Sequence, residues 1–228
     1  MKPDRKTGKT GFAHLMCAGL ISLSTLLGAQ SAQAQSAYAC RDLETHSGLP
    51  AVEGADGTFF AIRPELQAHH GMADGTIEEL AKLNTALEGR GTTLVLLPVP
   101  TRGQVLVDKL PSLASHLGYS ASDSAAVHLD MIKRLTQAGI PVADPLIPLR
   151  KAALAGAQPY FQTDPRPTPQ GARVLAQTVG EVLAGHPNLA GITRDIYISS
   201  EGAEITLPSA MRAQLQTCLL YTSDAADE

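Results

Sequence analysis

The sequence predicts an α/β fold of three layers, with a central, mainly parallel sheet between helices. Apolar, strand-like segments alternate with helix-like segments along the chain, and short turns separate them. Of the 228 residues, 44% are hydrophobic and 18% are charged, which indicates a globular domain rather than a disordered chain. Tryptophan is absent and aromatic residues make up only 4%, so Leu, Val, Ile and Ala are expected to build the core.

Strands are expected at residues 58–62, 92–97, 140–144 and 195–199, with a partial strand at 204–207. The run 92–97 is apolar without alternation, which is typical of a parallel strand buried on both faces. Asp144 stands at the carboxyl end of its segment, on the side where open α/β sheets bind ligands.

Helices are expected between these strands. Thr76 and Glu79 form a capping box that predicts the start of the first long helix, with a buried stripe of Ile77, Leu80, Leu83, Ala86 and Leu87. A second helix is expected to start at Ser122 or Ser124. Its predicted buried face comprises Ala126, Leu129, Ile132 and Leu135. Further helices are expected at residues 145–155 and 169–184.

Residues 1–34 predict a secretory signal peptide. A basic start precedes an apolar segment at residues 12–27, which is too short to span a bilayer comfortably. Cleavage is expected after Ala34, and an uncleaved signal anchor is the alternative. Without residues 1–34, 14 basic and 21 acidic residues give a net charge of −7. This charge, with no basic patch, argues against nucleic-acid binding.

Residues 218–228 are not expected to belong to the native chain, because they match one frame of a widely used transposon sequencing adapter. The predicted domain is therefore residues 35–217, incomplete at its C-terminus. On this interpretation Cys40 has lost its disulfide partner. The alternative is a Cys40–Cys218 bridge, which would stabilise the fold by on the order of 4–5 kcal/mol in the entropic model.

Residues 160–173 form the most distinctive segment of the chain. An aromatic pair ends an extended stretch, and Asp164 then enters a turn rich in proline. Thr168 is suited to cap the following helix, and Pro169 fits its first position. A carboxylate beside a helix N-terminus is a common position for chemistry in α/β folds. The alternative is an ordinary helix cap with a structural carboxylate.

Thr101 and Arg102 leave the carboxyl end of the predicted strand 92–97, so we expect them near a substrate cleft. The alternative is a rigid proline turn with an exposed arginine. His69 and His70 are adjacent but lack a third ligand at suitable spacing, so no metal site is expected. His128 and His186 are expected on the surface.

Three segments carry a resemblance to a known family. Residues 164–173 read Asp-x-x-x-Thr-Pro-x-Gly-Ala-Arg, and residues 53–60 and 91–111 resemble an entry strand and a first buried strand with its loop. Their order is similar to that in the AlgX/AlgJ family of periplasmic, SGNH-hydrolase-like alginate O-acetyltransferases. The resemblance implies an SGNH-like sandwich and a periplasmic location.

The resemblance also implies a mechanism. Asp and His come from the turn, Ser comes from a later loop, and an acetyl-serine intermediate passes its acetyl group to a polyuronate. An acetyl-donating acyltransferase complex of the inner membrane supplies the acetyl group, so no tightly bound cofactor is expected.

The sequence departs from the family pattern at the turn. Arg166 occupies the position of the family's His, and Pro167 that of its Trp. Arginine stays protonated, so it cannot act as a general base, but it can pair with Asp164 or with a uronate carboxylate. No Gly-Asp-Ser or Gly-x-Ser-x-Gly segment supplies a nucleophile, so the chain as given is expected to be inactive.

Three hypotheses follow from these observations. The first is a truncated, periplasmic O-acetyltransferase of an exported exopolysaccharide, with Asp164 as its orienting acid. The second is a non-catalytic relative that binds polysaccharide or acts as a scaffold in the export complex, and Arg166 motivates it. The third is an SGNH-type esterase with a small acylated substrate.

Overall fold

A computed structural model describes residues 40, 42–67, 71–189, 198, 200, 202–203 and 205–224. All of them belong to one compact unit, Gln35–Glu228. The predicted signal peptide lies outside the described residues. So do His69, His70 and most of the predicted strand 195–199.

Helices dominate the described part of the chain. Two strands, β1 and β2, span Ala51–Glu53 and Phe59–Ala61. The helices α1 to α8 span Ile62–Glu65, Asp74–Glu88, Arg102–Val105, Leu113–His116, Ala121–Gln137, Leu146–Leu154, Pro169–Gly185 and Ala210–Asp224. Single 3₁₀ turns lie at Leu43–Thr45, Ala55–Gly57, Val107–Lys109 and Pro187–Leu189.

The strands β1 and β2 form an antiparallel hairpin, so the predicted strand at 58–62 is confirmed. Val52 pairs with Phe60 in its register. The turn between the strands needs Gly54, because a Cβ there would lie 2.0 Å from the carbonyl oxygen of Lys109.

The hairpin separates two hydrophobic clusters because successive side chains of a strand point to opposite faces. Phe60 packs in the larger cluster with Leu146, Leu149 and Tyr160. Its neighbour Phe59 packs in a second cluster, which also contains Leu43, Met211 and Leu215. A third cluster, built around Ile77, Met131, Leu135 and Ile140, joins α2 to α5.

The predicted parallel sheet is represented in the described residues by one parallel bridge between Leu96 and Val142. The amide of Leu96 donates to the carbonyl of Pro141 at 2.9 Å, and that of Ala143 donates to the carbonyl of Leu96 at 2.8 Å. The segments 92–97 and 140–144 are therefore adjacent and parallel, as predicted. Their pairing does not extend further in the described chain, where Pro98, Pro100 and Pro141 lack the amide donors that a ladder needs.

Two predicted helix starts are wrong. The helix α2 begins at Asp74 and its N-cap is Ala73, so Thr76 lies inside the helix and the capping box does not form. The helix α5 begins at Ala121, and Ser120 caps it by accepting a hydrogen bond from the amide of Asp123. The later helices agree with the prediction, since α6 and α7 lie within a residue or two of the expected bounds.

The buried face of α5 is rotated from the predicted one. Leu129, expected in the core, is 50% exposed. The buried positions are Ser124, Ala125, His128, Met131 and Leu135. The surface position predicted for His128 is therefore wrong, since its side chain lies in the interior.

The helix α8 joins the second cluster and carries a disulfide. Cys218 in this helix is bonded to Cys40, with 5.1 Å between their Cα atoms. This pairing contradicts the expectation of an unpaired Cys40 and matches the alternative. The assignment of residues 218–228 to an adapter stays a prediction.

Candidate functional site

The turn at 160–173 is closed by backbone bonds on both sides. Tyr160 and Pro167 form an antiparallel bridge, and the amide of Thr168 donates to the carbonyl of Pro159 at 3.0 Å. Thr168 caps α7 as predicted, because its Oγ1 accepts a hydrogen bond from the amide of Gly171 at 3.2 Å. A Cβ at Gly171 would lie 2.0 Å from the carbonyl oxygen of Pro159, so glycine is needed where α7 meets this turn.

Asp164 and Arg166 form a bidentate ion pair inside the turn. The Nε of Arg166 donates to Oδ1 of Asp164 at 2.8 Å, and Nη2 donates to Oδ2 at 2.7 Å. The backbone amide of Arg166 adds a third bond to Oδ1 at 2.8 Å. Nη2 also reaches the carbonyl of Pro208 at 2.6 Å, which ties the turn to the segment before α8. Arg166 therefore neutralises the carboxylate of Asp164.

These bonds control the ionisation of Asp164. The hydrogen bonds from the Arg166 guanidinium lower the pKa of Asp164 to about 2, although partial burial opposes them. The same bonds raise the pKa of Arg166 above its ordinary value. At neutral pH the pair is therefore fully charged on both sides, and Arg166 has no capacity to accept a proton.

A second ion pair, between Arg102 and Glu65, lies beneath the turn. Its Nε–Oε1 and Nη2–Oε2 distances are 2.5 and 2.6 Å. Nη1 of Arg102 donates to the carbonyls of Phe161 and Gln162 at 2.8 and 3.0 Å. The side chain of Arg102 is fully buried, and its guanidinium also lies 5.7 Å from the ring centre of Phe60. Arg102 thus holds the extended stretch that leads into Asp164.

This burial corrects the alternative of an exposed arginine at 102. Thr101 caps the short helix α3 through a capping box with Gln104, and its hydroxyl donates to the carbonyl of Glu65 at 3.3 Å. Both residues are engaged with the protein in the described structure. Substrate binding by Thr101 and Arg102 stays a prediction, and the contacts instead give them a positioning role.

A cavity opens beside the Asp164–Arg166 pair, and we refer to it as the turn cavity. Its volume is about 150 Å³. It is lined by Phe161, Thr163, Asp164, Arg166, Ile205, Thr206, Leu207, Ser209 and Arg212. Ser209 links its two sides, because its hydroxyl donates to the carbonyl of Thr163 at 2.9 Å.

The structure also contains a buried histidine–carboxylate pair that the sequence did not predict. Nε2 of His128 lies 2.8 Å from Oδ1 of Asp144, and the same oxygen accepts the amide of Leu146 at 3.0 Å. Burial raises the pKa of Asp144, but these hydrogen bonds outweigh it and lower the pKa below its ordinary value. Asp144 follows Val142, which forms an isolated bridge and not the predicted strand, and the error in the buried face of α5 hides its partner His128 from the sequence.

A serine lies one turn before this histidine, on the same buried face of α5. Ser124 is 1% exposed, and its hydroxyl has no hydrogen-bond partner within the described residues. A nucleophile must reach its substrate, so this burial argues against acyl transfer at Ser124. His186, also expected on the surface, is partly buried at the end of α7.

The described residues contain no group of three or more His, Cys, Asp or Glu side chains arranged to hold a metal ion. None of their helices has the length and apolar character needed to cross a membrane.

Comparison with known proteins gives a consistent result. Residues 51–220 match the family described as "SGNH hydrolase-like domain, acetyltransferase AlgX". Over 168 residues, the chain is 32% identical to "Alginate biosynthesis protein AlgX" of Pseudomonas aeruginosa. The aligned region covers 73% of this chain and 35% of the relative. Over 110 residues, it is 34% identical to "Probable alginate O-acetylase AlgJ" of Pseudomonas syringae pv. tomato, covering 46% of this chain and 26% of the relative.

The solved structure of Pseudomonas aeruginosa AlgX has a similar fold. It superposes with a TM-score of 0.64 at 25% identity, over 75% of this chain and 41% of that chain. The fold is therefore of the SGNH-like α/β kind. The chain spans about a third of the length of the AlgX relatives that it matches.

Proposed function

Because the chain belongs to the family of SGNH hydrolase-like domains that includes acetyltransferase AlgX, we propose that it serves in the O-acetylation of an exported, alginate-type polysaccharide. The turn at 160–173 carries this proposal. It holds Asp164 nearly buried, next to the capped N-terminus of α7 and at the edge of a cavity. In this proposal the acceptor is a polyuronate in the periplasm, and an acyltransferase complex of the inner membrane donates the acetyl group.

The chemistry defines what Asp164 can contribute. In acyl transfer a serine hydroxyl gives its proton to a base while its oxygen bonds to the acetyl carbon and the donor group leaves. A carboxylate orients the base and stabilises its charged form. Asp164 suits that orienting role, but its partner here is Arg166, which cannot accept the proton.

A second function, polysaccharide binding without acyl transfer, is favoured by the Asp164–Arg166 pair. The pair occupies both carboxylate oxygens, so a histidine would have to displace the guanidinium before Asp164 could orient it. In this alternative the domain binds the polymer or acts as a scaffold, and a different protein performs the chemistry.

An acetylation assay separates these functions. The source DNA is first read through codon 166 and past codon 217, and the encoded protein is then incubated with mannuronate oligomers and an activated acetyl ester. Under the first proposal the oligomers gain acetyl groups by mass spectrometry, and Asp164→Asn lowers the rate by on the order of 10⁴-fold, as loss of an orienting Asp does in hydrolase triads.

Other outcomes exclude this proposal in distinct ways. Oligomer binding without acetylation, in a protein confirmed to carry Arg166, would favour the second function. Hydrolysis of the activated ester at a rate independent of the oligomer would favour an esterase with a small substrate.

A further inference from the structure

Arg212 is a cation of the turn cavity with no counter-ion among the residues that the structure describes. Its backbone amide donates to the hydroxyl of Ser209 at 3.3 Å. Its guanidinium, in contrast, makes no ion pair or hydrogen bond within the residues that the structure describes. Arg212 also lies in the first turn of the 15-residue helix α8, which begins at Ala210. The helix dipole disfavours a cation there and favours an anion, so this position does not stabilise the helix by itself.

The charged side chains among the described lining residues of the turn cavity leave an excess of one positive charge. Asp164 and Arg166 neutralise each other through their bidentate contact. Within the described part of the lining, Arg212 then remains as the uncompensated charge. Without Arg166, the carboxylate of Asp164 would repel an incoming anion. The residue that removes the family's base therefore makes the cavity suitable for a negative ligand.

The rest of the lining suits a sugar better than a bare ion. Phe161, Ile205 and Leu207 provide apolar surface, and Thr163, Thr206 and Ser209 provide hydroxyl groups. Binding sites for small molecules combine such apolar walls with a few polar groups that fix orientation. The cavity is small, with a volume of about 150 Å³, so it suits one sugar residue rather than a longer segment of polymer.

We propose that the turn cavity binds a single uronic-acid residue, whose carboxylate forms a salt bridge with Arg212. This inference rests on the proposed function, since it assigns a binding residue for the acidic polymer. Arg166 has a different role, because it holds Asp164 neutralised and so permits an anion to enter. The site requires no acyl chemistry, and it can therefore be tested separately from acetylation.

Calorimetric titration with mannuronic acid and with mannose tests the proposal. The two sugars differ at the carboxylate, so mannuronic acid is expected to bind and mannose to bind at least about tenfold more weakly, the order of a charge-assisted hydrogen bond. Arg212→Gln is expected to weaken mannuronate binding about tenfold or more. Arg212→Lys is expected to lose less, because lysine keeps the charge but not the planar, bidentate geometry.

The control variant is Arg90→Gln, which removes one exposed arginine from the loop after α2 and leaves the cavity unchanged. Its mannuronate affinity is expected to equal that of the unmodified protein. Circular dichroism of all variants checks that α8 remains folded. Equal affinity of Arg212→Gln and the unmodified protein for mannuronate would overturn the proposal. Equal competition by acetate would overturn the sugar-specific part, because the cavity would then recognise charge alone.

The results also separate this inference from the proposed function. Uronate binding that depends on Arg212, in a protein that does not acetylate oligomers, would support the inference and exclude the acetyltransferase. If Arg212→Gln leaves both acetylation and the affinity for mannuronate unchanged, the result would support the acetyltransferase and exclude the role of Arg212 in uronate binding.

Discussion

Two arginine–carboxylate pairs of nearly the same geometry serve different purposes in this molecule. Arg102 and Glu65 lie in the interior, with side chains 0% and 3% exposed. Arg166 and Asp164 lie at a cavity, with side chains 46% and 10% exposed. Both pairs are bidentate, so hydrogen-bond geometry does not distinguish them. Their surroundings do, because desolvation makes a buried charge costly to leave unpaired, whereas water screens an exposed one.

The two pairs are connected through one short stretch of backbone. Arg102 binds the carbonyls of Phe161 and Gln162, and the Asp164–Arg166 pair follows immediately in the chain. The buried pair therefore holds the base of the turn while the exposed pair sets the charge at its tip. We therefore expect substitutions in the buried Arg102–Glu65 pair to lower the stability of the fold. Substitutions in the Asp164–Arg166 pair are expected mainly to change the charge of the site.

The largest effect is expected from breaking the buried pair. Glu65→Gln leaves the guanidinium of Arg102 buried without a counter-charge, which is expected to cost about 3–5 kcal/mol of unfolding free energy. Urea denaturation measures this change. The matched control is Glu79→Gln, which breaks the exposed pair with Lys82 and is expected to cost at most about 1 kcal/mol. Equal costs for the two variants would contradict the structural role assigned to Arg102.

A medium effect is expected at the junction of the turn and α7. Gly171→Ala would place a Cβ 2.0 Å from the carbonyl oxygen of Pro159, and the resulting shift is expected to cost about 1–3 kcal/mol. Gly180→Ala on the same helix meets no atom within 4 Å and is expected to stabilise it by up to about 1 kcal/mol. Thermal unfolding of both variants measures the difference. A stabilised Gly171→Ala protein would show that this contact does not anchor the turn.

The smallest effect on stability is expected from the exposed pair. Arg166→Gln is expected to lower the unfolding free energy by about 1–2 kcal/mol, since the depressed pKa of Asp164 contributes stability but solvent screens the half-exposed Arg166. It should instead change the titration of the carboxyl group, raising the pKa of Asp164 from about 2 towards its ordinary value. Because the folded-state pKa is depressed, the contribution of the pair is present above about pH 4 and is lost as the pH falls towards 2.

Carbon-detected NMR titration of the Asp164 carboxyl group measures this shift directly. The carboxyl resonance of Asp123, an exposed residue at the start of α5, provides the internal control. An unchanged Asp164 titration in Arg166→Gln would show that Arg166 does not control this carboxylate.

Local signals in the sequence predicted local structure well. Thr168 and Pro169 predicted the start of α7, because capping depends on residues adjacent in the chain. The motif at 164–173 predicted the family, and the family match confirms it. The sequence offers two partners for Arg166, Asp164 or a uronate carboxylate. The pair with Asp164 is one of them, since two residues of one turn lie close together.

The errors arose where one residue's environment depends on distant parts of the chain. The periodicity of α5 is compatible with neighbouring stripes, and packing against α3 and the loop at 140–145 selected the face that buries His128. Thr76 and Glu79 have the residue types of a capping box, but the helix had already begun at Asp74. Local propensity was correct about the presence of these helices and wrong about their bounds and orientation.

The sequence by itself determined the family, the order of the main helices and the cap that starts α7, because these depend on residue identity and short spacing. Only the tertiary structure decided that Arg102 is buried against Glu65, that His128 meets Asp144 and that Arg212 faces the turn cavity. The two pairs join residues 37 and 16 positions apart, and Arg212 lies 46 positions after Arg166, which lines the same cavity. Their contacts follow from how the helices pack, and no local pattern encodes the burial that fixes each charge's role.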